Sequence, residues 1–243
     1  MNPLVTIITP TTGHEKLGKA MESVANQTYQ NIQHLVVIDG PEKISDSLAT
    51  LKDYPVRDLI SLPYNTGANG YNGHKIYGAC TFLAKGDYLM FLDEDNWIDS
   101  DHVQSLVDVI KEGNNWAYSL RKIVDKLDQF VCRDDCESLG KWKSILNDNF
   151  IDVGCWFVPK DIALMMSPFW HRRARHPDDQ PEVDRIISSF LMGNNFKFDC
   201  TGKHTLNYRV GNRADSVQAN FFLKGNALMH SQYNGKYPWR KAA

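Results

Sequence analysis

The stretch that most constrains this 243-residue chain is GDYLMFLDEDNW, residues 86–97. After a Gly-Asp turn, the apolar run Tyr88-Leu89-Met90-Phe91-Leu92 is short enough to be a strand buried on both faces. Three acids follow it directly: Asp93, Glu94 and Asp95. A buried strand ending in clustered carboxylates brings negative charge to the rim of a sheet, and the C-terminal rim is where open α/β sheets bind ligands. Like charges packed this closely repel and need an opposing charge. A divalent cation holding a phosphate would supply it. A strand running into a solvated acidic turn is the plain alternative, and this stretch alone does not choose between them.

The chain before it supplies the context. Leu4–Thr9 is a β-rich run that stops at Pro10, and Thr11, Thr12 and Gly13 form a polar turn able to cap the next helix. That helix, about residues 16–26, places Leu17, Met21, Val24 and Ala25 on one face. A second strand, His34–Ile38, ends at Asp39. A weaker helix over about 44–52 leads to a third strand, Leu59–Leu62. A loop rich in Gly and Asn and a helix over about 74–84 then reach Gly86. This strand–helix alternation predicts a mostly parallel sheet with helices on both faces, so Thr9, Asp39, Pro63 and Asp93 should share one rim.

Beyond Trp97 the spacing of Val103, Leu106, Val107 and Ile110 predicts a helix capped by Ser100 or Asp101 and stopped by Gly113. From Trp116 the pattern loosens into short β-like pieces (116–120, 122–124, 129–132), which suggests antiparallel additions. Residues 150–159, FIDVGCWFVP, read as a strand pair or a strand bent at Gly154, with a helix over about 160–166. The run His171-Arg172-Arg173-Ala174-Arg175-His176 is either a solvated loop or a lid whose arginines, Arg172 and Arg173 among them, clamp phosphate. A helix over 181–192 buries Val183, Ile186, Ile187, Phe190 and Leu191. Strands are expected at 196–198 and 204–209, and the last thirty residues read as irregular or weakly helical. The aromatic and basic end, residues 237–241, is expected as a packed tail, with peripheral membrane contact as the alternative.

A net charge of −2 gives no electrostatic case for nucleic-acid binding. The N-terminus lacks the basic region of a signal peptide, and no apolar run approaches the ~18 residues that cross a bilayer. Five scattered cysteines suit a reducing cytosol, and Cys132 and Cys136, without a second ligand pair, read as free thiols. One domain is expected, with residues 1–99 and 100–215 as its functional halves and 216–243 as a tail.

In order along the chain, VTIITPT, VVIDG, Asn65-Thr66-Gly67 and AKGDYLMFLDEDNW resemble the motifs of family 2 glycosyltransferases of the GT-A fold. One Asp-x-Asp is weak evidence; four motifs on four successive strand ends are strong. The resemblance implies a Rossmann-like, mostly parallel sheet with a smaller antiparallel region on the acceptor side. It assigns Thr9, Pro10, Thr11, Asp39, Asn65, Gly67 and Asp93 to the nucleotide. Lys75 stands in for an arginine that the family carries before its third helix. The second strand ends in one acid where the family usually has two.

For such an enzyme Asp95 is the expected main ligand of Mn or Mg. Asp93 would reach ribose or metal, and Glu94 would turn aside while still belonging to the donor pocket. Some GT-A enzymes add a late histidine, which makes His204 a candidate metal ligand. Gly154 and Trp156 could line the sugar or acceptor pocket. An inverting transfer needs a base near the start of the helix after the basic loop. Asp184 ranks first, ahead of Asp179 and Glu182, although an acid there also simply favours the helix dipole. The expected donor is a nucleotide-diphosphate sugar, UDP-linked first. The expected acceptor is a carbohydrate or lipid-linked hydroxyl at the cytoplasmic side of a membrane, and a homodimer stays open. The rival readings are a degenerate binding subunit and, less well matched, a phosphatase of the haloacid dehalogenase type.

Overall fold

Three parallel pairings organise the first half of the molecule: residues 5–11 with 32–38, 5–8 with 88–91, and 35–38 with 58–61. The computed structural model describes residues 2–54, 58–172, 183–212 and 216–240. In chain order its elements are β1 Val5–Thr11, α1 Leu17–Ala25, β2 Ile32–Ile38, α2 Ile44–Leu51, β3 Asp58–Ser61, α3 His74–Cys80, β4 Tyr88–Phe91, β5 Trp97–Ile98, α4 His102–Lys111, β6 Trp116–Val124, β7 Phe130–Arg133, β8 Trp156–Pro159, α5 Lys160–Met166, α6 Val183–Gly193, β9 Phe198–Arg209 and α7 Ala219–Gln232. The strands form one sheet in the order β3-β2-β1-β4-β8-β6-β9-β5, with β7 paired to the far end of β6.

The parallel half runs from β3 to β4. Beyond it β8 pairs antiparallel with both β4 and β6, β6 runs parallel to β9, and β5 runs antiparallel to β9. β1, buried along its whole length, reads as an unbroken apolar and threonine run because both of its faces are covered. β2 shows how the layers divide. Val36 packs with Leu17, Met21 and Leu51 of α1 and α2, while Leu35 and Val37 belong to the larger core that holds Ile76 and Tyr77 of α3.

Several elements differ from their sequence expectation. The pieces at 116–120 and 122–124 are one strand, because Ser119 and Arg121, which break the apolar run, are themselves buried. The two expected late strands are likewise one, β9. It carries Gly202 at φ 71°, and its register against β6 shifts on either side of Leu120. Residues 153–155 form a single helical turn that leads into β8. The last thirty residues contain a 14-residue helix. Only Phe222, Gly225 and Met229 of α7 are buried, and Leu223 and Leu228 are exposed, so no continuous apolar stripe announces it. Asp101 occupies the N-cap of α4 without a side-chain cap bond and instead pairs with Lys203 at 2.8 Å.

Trp239 is buried and its indole N–H donates to Asp135 Oδ1 at 2.7 Å, so the tail is packed and this ring is not offered to a membrane. All five cysteines are free thiols. Among the described residues no helix is long and apolar enough to cross a membrane.

Candidate active site

Because β1, β2 and β4 are parallel and pair Thr11 with Ile38 and Ile8 with Phe91, their C-terminal ends come out side by side. The residues just past those ends form one wall of a cleft of about 840 Å³: Pro10, Thr11 and Thr12 after β1, Asp39 after β2, Asp93 to Asn96 after β4. The second half of the chain lines the same cleft with Asp152, Val153, Asp184, Tyr208, Arg209 and Asn212. Gly67, Gly70, Asn72, Gly73 and His74 line it as well.

Asp39 is 2% exposed and shapes the Asn-Thr-Gly loop. Its Oδ1 accepts from the backbone N–H of Thr66 at 2.7 Å and from the Thr66 hydroxyl at 2.9 Å, and its Oδ2 accepts from the Gly67 N–H at 2.9 Å. A Cβ at Gly67 would lie 2.5 Å from the carbonyl oxygen of Asn72, so the close approach requires glycine.

The three acids after β4 have separate partners. Glu94 does turn from its two neighbours, toward the turn after β1. It accepts from the Thr11 hydroxyl at 2.6 Å, the Thr12 hydroxyl at 2.7 Å and the backbone N–H groups of Thr12 and His14 at 3.0 Å. Those threonines therefore brace a carboxylate and do not cap α1, whose N-cap Lys16 makes no side-chain cap bond. Asp95 accepts from Asn212 Nδ2 at 2.7 Å, and its carbonyl oxygen accepts from Arg209. Asp93 accepts from the Tyr77 hydroxyl at 2.6 Å. Burial, then the charge of Asp95, pushes the Asp93 carboxyl up to about 7; the Tyr77 hydrogen bond works against this, and Asp152 and Glu94 add to it.

Asp152 belongs to a buried ion cluster. Arg121, 2% exposed, donates to Asp134 at 2.8 Å, to Asp152 at 2.5 Å and to Glu137 at 2.5 Å. Asp152 thus presents to the cleft a carboxylate already held by Arg121 and by the Gly154 N–H. Asp184 sits in the first turn of α6, and burial, then the charge of Asp152, pushes its carboxyl up to about 6. The next residue, Arg185, ties α6 to Glu137 at 2.9 Å and to Asp148.

Other residues singled out in the sequence lie elsewhere. Thr9 is fully buried with its hydroxyl 2.9 Å from His34 Nε2, and Asn65 donates to the carbonyl oxygen of Asp39; neither lines the cleft, whereas Pro10, Thr11 and Gly67 do. Lys75 places its ammonium over the Tyr71 ring at 3.7 Å. Trp156 is completely buried, ring to ring with Phe91 and Trp170, which makes it a core residue and not a pocket wall. Gly154 is buried, and a Cβ there would meet Leu206 at 2.8 Å, so its size serves packing. His204 is not among the cleft residues; its Nε2 lies 3.6 Å from Asp135 Oδ1, beside the packed tail. Arg172 is exposed, with its guanidinium over Phe169 at 4.4 Å. Arg173, Asp179 and Glu182 lie outside the described residues. Asp152, Tyr208 and Asn212 were missed. Asp152 had a signal, a lone acid inside the apolar run FIDVG; Tyr208 and Asn212 had none.

The cleft is strongly acidic. Asp39, Asp93, Glu94, Asp95, Asp152 and Asp184 line it, and Arg209 is the only Lys or Arg among the described lining residues. That arginine is already engaged with Asp128 and with the Asp95 carbonyl. Among the described residues no three His, Cys, Asp or Glu side chains are set as a ready metal cage. The donor set fits a hard cation that one or two carboxylates hold and that takes its other oxygens from a bound phosphate.

The fold and this rim define a GT-A type α/β domain. TarS of S. aureus, residues 1–349 in complex with UDP-GlcNAc, superposes with a TM-score of 0.63 at 14% identity, over 94% of this chain and 66% of that one. The Glycosyl transferase family 2 profile matches residues 6–167, and the chain belongs to that family. It is 30% identical over 120 residues to the glycosyltransferase GlyA of Streptococcus pneumoniae, covering 44% of this chain and 15% of that protein. It is also 30% identical over 95 residues to the glucosyl-dolichyl phosphate glucuronosyltransferase of Haloferax volcanii, covering 39% and 29%. The chain therefore spans under a third of either relative's length. Family membership leaves the dehalogenase-type phosphatase reading without support.

Proposed function

We propose that the chain transfers a sugar from a nucleotide-diphosphate sugar, UDP-linked in the first instance, to an acceptor hydroxyl, with inversion and with Mn or Mg. The observation that carries this reading is the placement of two kinds of acid in one cleft. Asp93 and Asp95 stand at the end of a parallel strand, and Asp184 lines the same cleft from the start of a helix. Family membership and the likeness in fold to TarS, solved with UDP-GlcNAc, support it.

In this reading the Asp39 rim takes the nucleoside, and Asp95 and Asp93 would hold the cation. When bound, the cation offsets charge that grows on the leaving diphosphate. Asp184 accepts the proton of the acceptor hydroxyl as that oxygen bonds to C1 and the C1–diphosphate bond breaks. A carboxyl at about 6 is ionised at neutral pH yet more basic than an ordinary one, which suits a general base. Asp152 suits that role less well, because Arg121 already holds its charge. Asp179 and Glu182 remain the other candidates for the base. The acceptor class is a carbohydrate or lipid-linked hydroxyl, the latter favoured by the dolichyl phosphate in a relative's name. The setting is polysaccharide or glycoconjugate synthesis at the cytoplasmic face of a membrane.

Calorimetric titration with UDP, with and without Mn, tests the donor half. UDP affinity should rise with the metal and fall in Asp95→Ala; an affinity indifferent to both overturns the reading. Asp184→Asn should abolish turnover of the sugar nucleotide while UDP still binds. A wild-type protein that binds UDP and turns over none of a panel of UDP-, GDP- and dTDP-sugars is instead a degenerate binding subunit.

A further inference from the structure

Glu137 lies outside the cleft yet touches both arginines that stand behind its catalytic wall. Its Oε2 accepts from Arg121 Nη2 at 2.5 Å, and its Oε1 accepts from Arg185 Nη2 at 2.9 Å. Arg121 extends through Nη1 to Asp152 at 2.5 Å, and Asp152 lines the cleft. Arg185 follows Asp184 directly in the first turn of α6, and its side chain also bonds to Asp148 and covers the Phe150 ring at 4.4 Å. Arg121, in turn, is held on its other side by Asp134, which is fully buried and accepts from the backbone N–H groups of Cys136, Glu137 and Ser138. The 134–138 turn is thereby fixed, and Glu137 with it.

We propose that Glu137 is a positioning residue for the transfer reaction. By holding Arg121 on one carboxylate oxygen and Arg185 on the other, it fixes Asp152 and the Asp184-bearing turn of α6 relative to each other. The inference rests on the reading of Asp184 as the base. The two arginines carry like charge, and Glu137 is the anion that both of them contact. One carboxylate with two separate oxygens holds both in a planar, charge-assisted geometry that a single-oxygen acceptor cannot reproduce. Because Arg185 is adjacent to Asp184, a shift of its side chain moves the turn that carries the base. Such a shift acts first on the chemical step, since the bonds of Glu137 lead through Arg121 and Arg185 to Asp152 and α6, whereas Asp39, Glu94 and Asp95 are held by other partners.

The test measures hydrolysis of the sugar nucleotide that wild type turns over fastest, with Mn and with water standing in for the acceptor hydroxyl. Glu137→Gln and Arg185→Lys should each lower kcat by about ten- to a hundredfold, the scale on which small misplacements act, with KM for the donor and Kd for UDP unchanged. Arg185 is partly exposed, so Arg185→Lys puts the fold least at stake, and Glu137→Asp should recover less than half of the lost rate because its shorter stem reaches only one arginine. Wild-type kcat in Arg185→Lys overturns the proposal. So does a fall in kcat matched by an equal loss of UDP affinity, which marks a general loosening of the domain. Asp184→Asn run alongside separates the two layers. Loss of turnover in it with wild-type rates in the other variants removes the positioning role alone, whereas turnover that persists in it removes Asp184 as the base.

Discussion

The hydroxyl of Tyr77 donates to Oδ1 of Asp93 across 2.6 Å, joining the core of the α3 helix to the first acid of the cleft. Tyr77 is buried against Phe91 and Trp170, so the donor cannot swing away. Its hydrogen bond stabilises the ionised form of a carboxyl that burial and Asp95 otherwise push toward protonation. Tyr77→Phe removes that bond and leaves the crowding, so the Asp93 carboxyl should titrate above 7. Metal-dependent UDP binding should then need a higher pH, with its midpoint moved alkaline. Titration with UDP and Mn between pH 6 and 9 reads the shift.

Asp93 and Asp184 both hold protons more tightly in the fold than as free side chains, at about 7 and about 6 against 3.8. The folded state therefore binds more protons than the unfolded one between these values. The contribution to stability is complete below about pH 4 and is lost as pH rises through 6 to 7. Asp93→Asn should remove the repulsion and stabilise the metal-free protein by about 1 kcal/mol or more at pH 8, with little gain at pH 4. It should also weaken metal-dependent UDP binding. Thermal melts at the two pH values decide this.

Glu94 closes the turn after β1 with bonds from Thr11, Thr12 and His14. Hydrogen bonds to a charged group contribute about 1.5–3 kcal/mol each. Glu94→Ala leaves these donors without their acceptor and frees a segment that lines the cleft. It should lower the melting temperature and weaken UDP binding roughly tenfold or more. Glu94→Gln, which keeps one acceptor oxygen, should fall between. An alanine variant that binds UDP as wild type does would show that the turn holds its shape unaided.

Trp156 and His204 supply the contrasting expectation. Trp156→Phe opens a void among Phe91, Trp170 and their neighbours and should destabilise the domain by about 1–3 kcal/mol, with donor KM unchanged. His204→Ala should leave the metal dependence of UDP binding as it is, because the ring faces Asp135. Denaturant melts and metal titrations of the two variants check both statements.

Much of this architecture follows from local pattern. The alternation of apolar runs and amphipathic stretches up to residue 97 determines four strands and three helices. Parallel pairing then brings the strand ends to one rim, where Asp39 and Asp93 line the cleft; Thr9 is buried short of it because β1 continues through Pro10 to Thr11, and Pro63 is not among the lining residues, so only part of the cleft was legible before any coordinates. α5 was legible over its full length, Lys160–Met166, for the same reason.

The rest was decided by tertiary contact. Asp152 lines the same cleft as Asp93 because the strand that follows it, β8, inserts between β4 and β6, a choice of strand order that no local spacing encodes; Asp184 joins them from α6. The buried Arg121 cluster looks, in sequence, like a scatter of ordinary surface charges, since burial of an ion depends on partners 13 to 31 residues away. His204 and Trp156 suit a ligand and a sugar platform by residue type, yet Trp156 is taken by the core and His204 packs against Asp135 away from the cleft. Residue type states what a side chain can do; the packing around it determines which surface, if any, it meets.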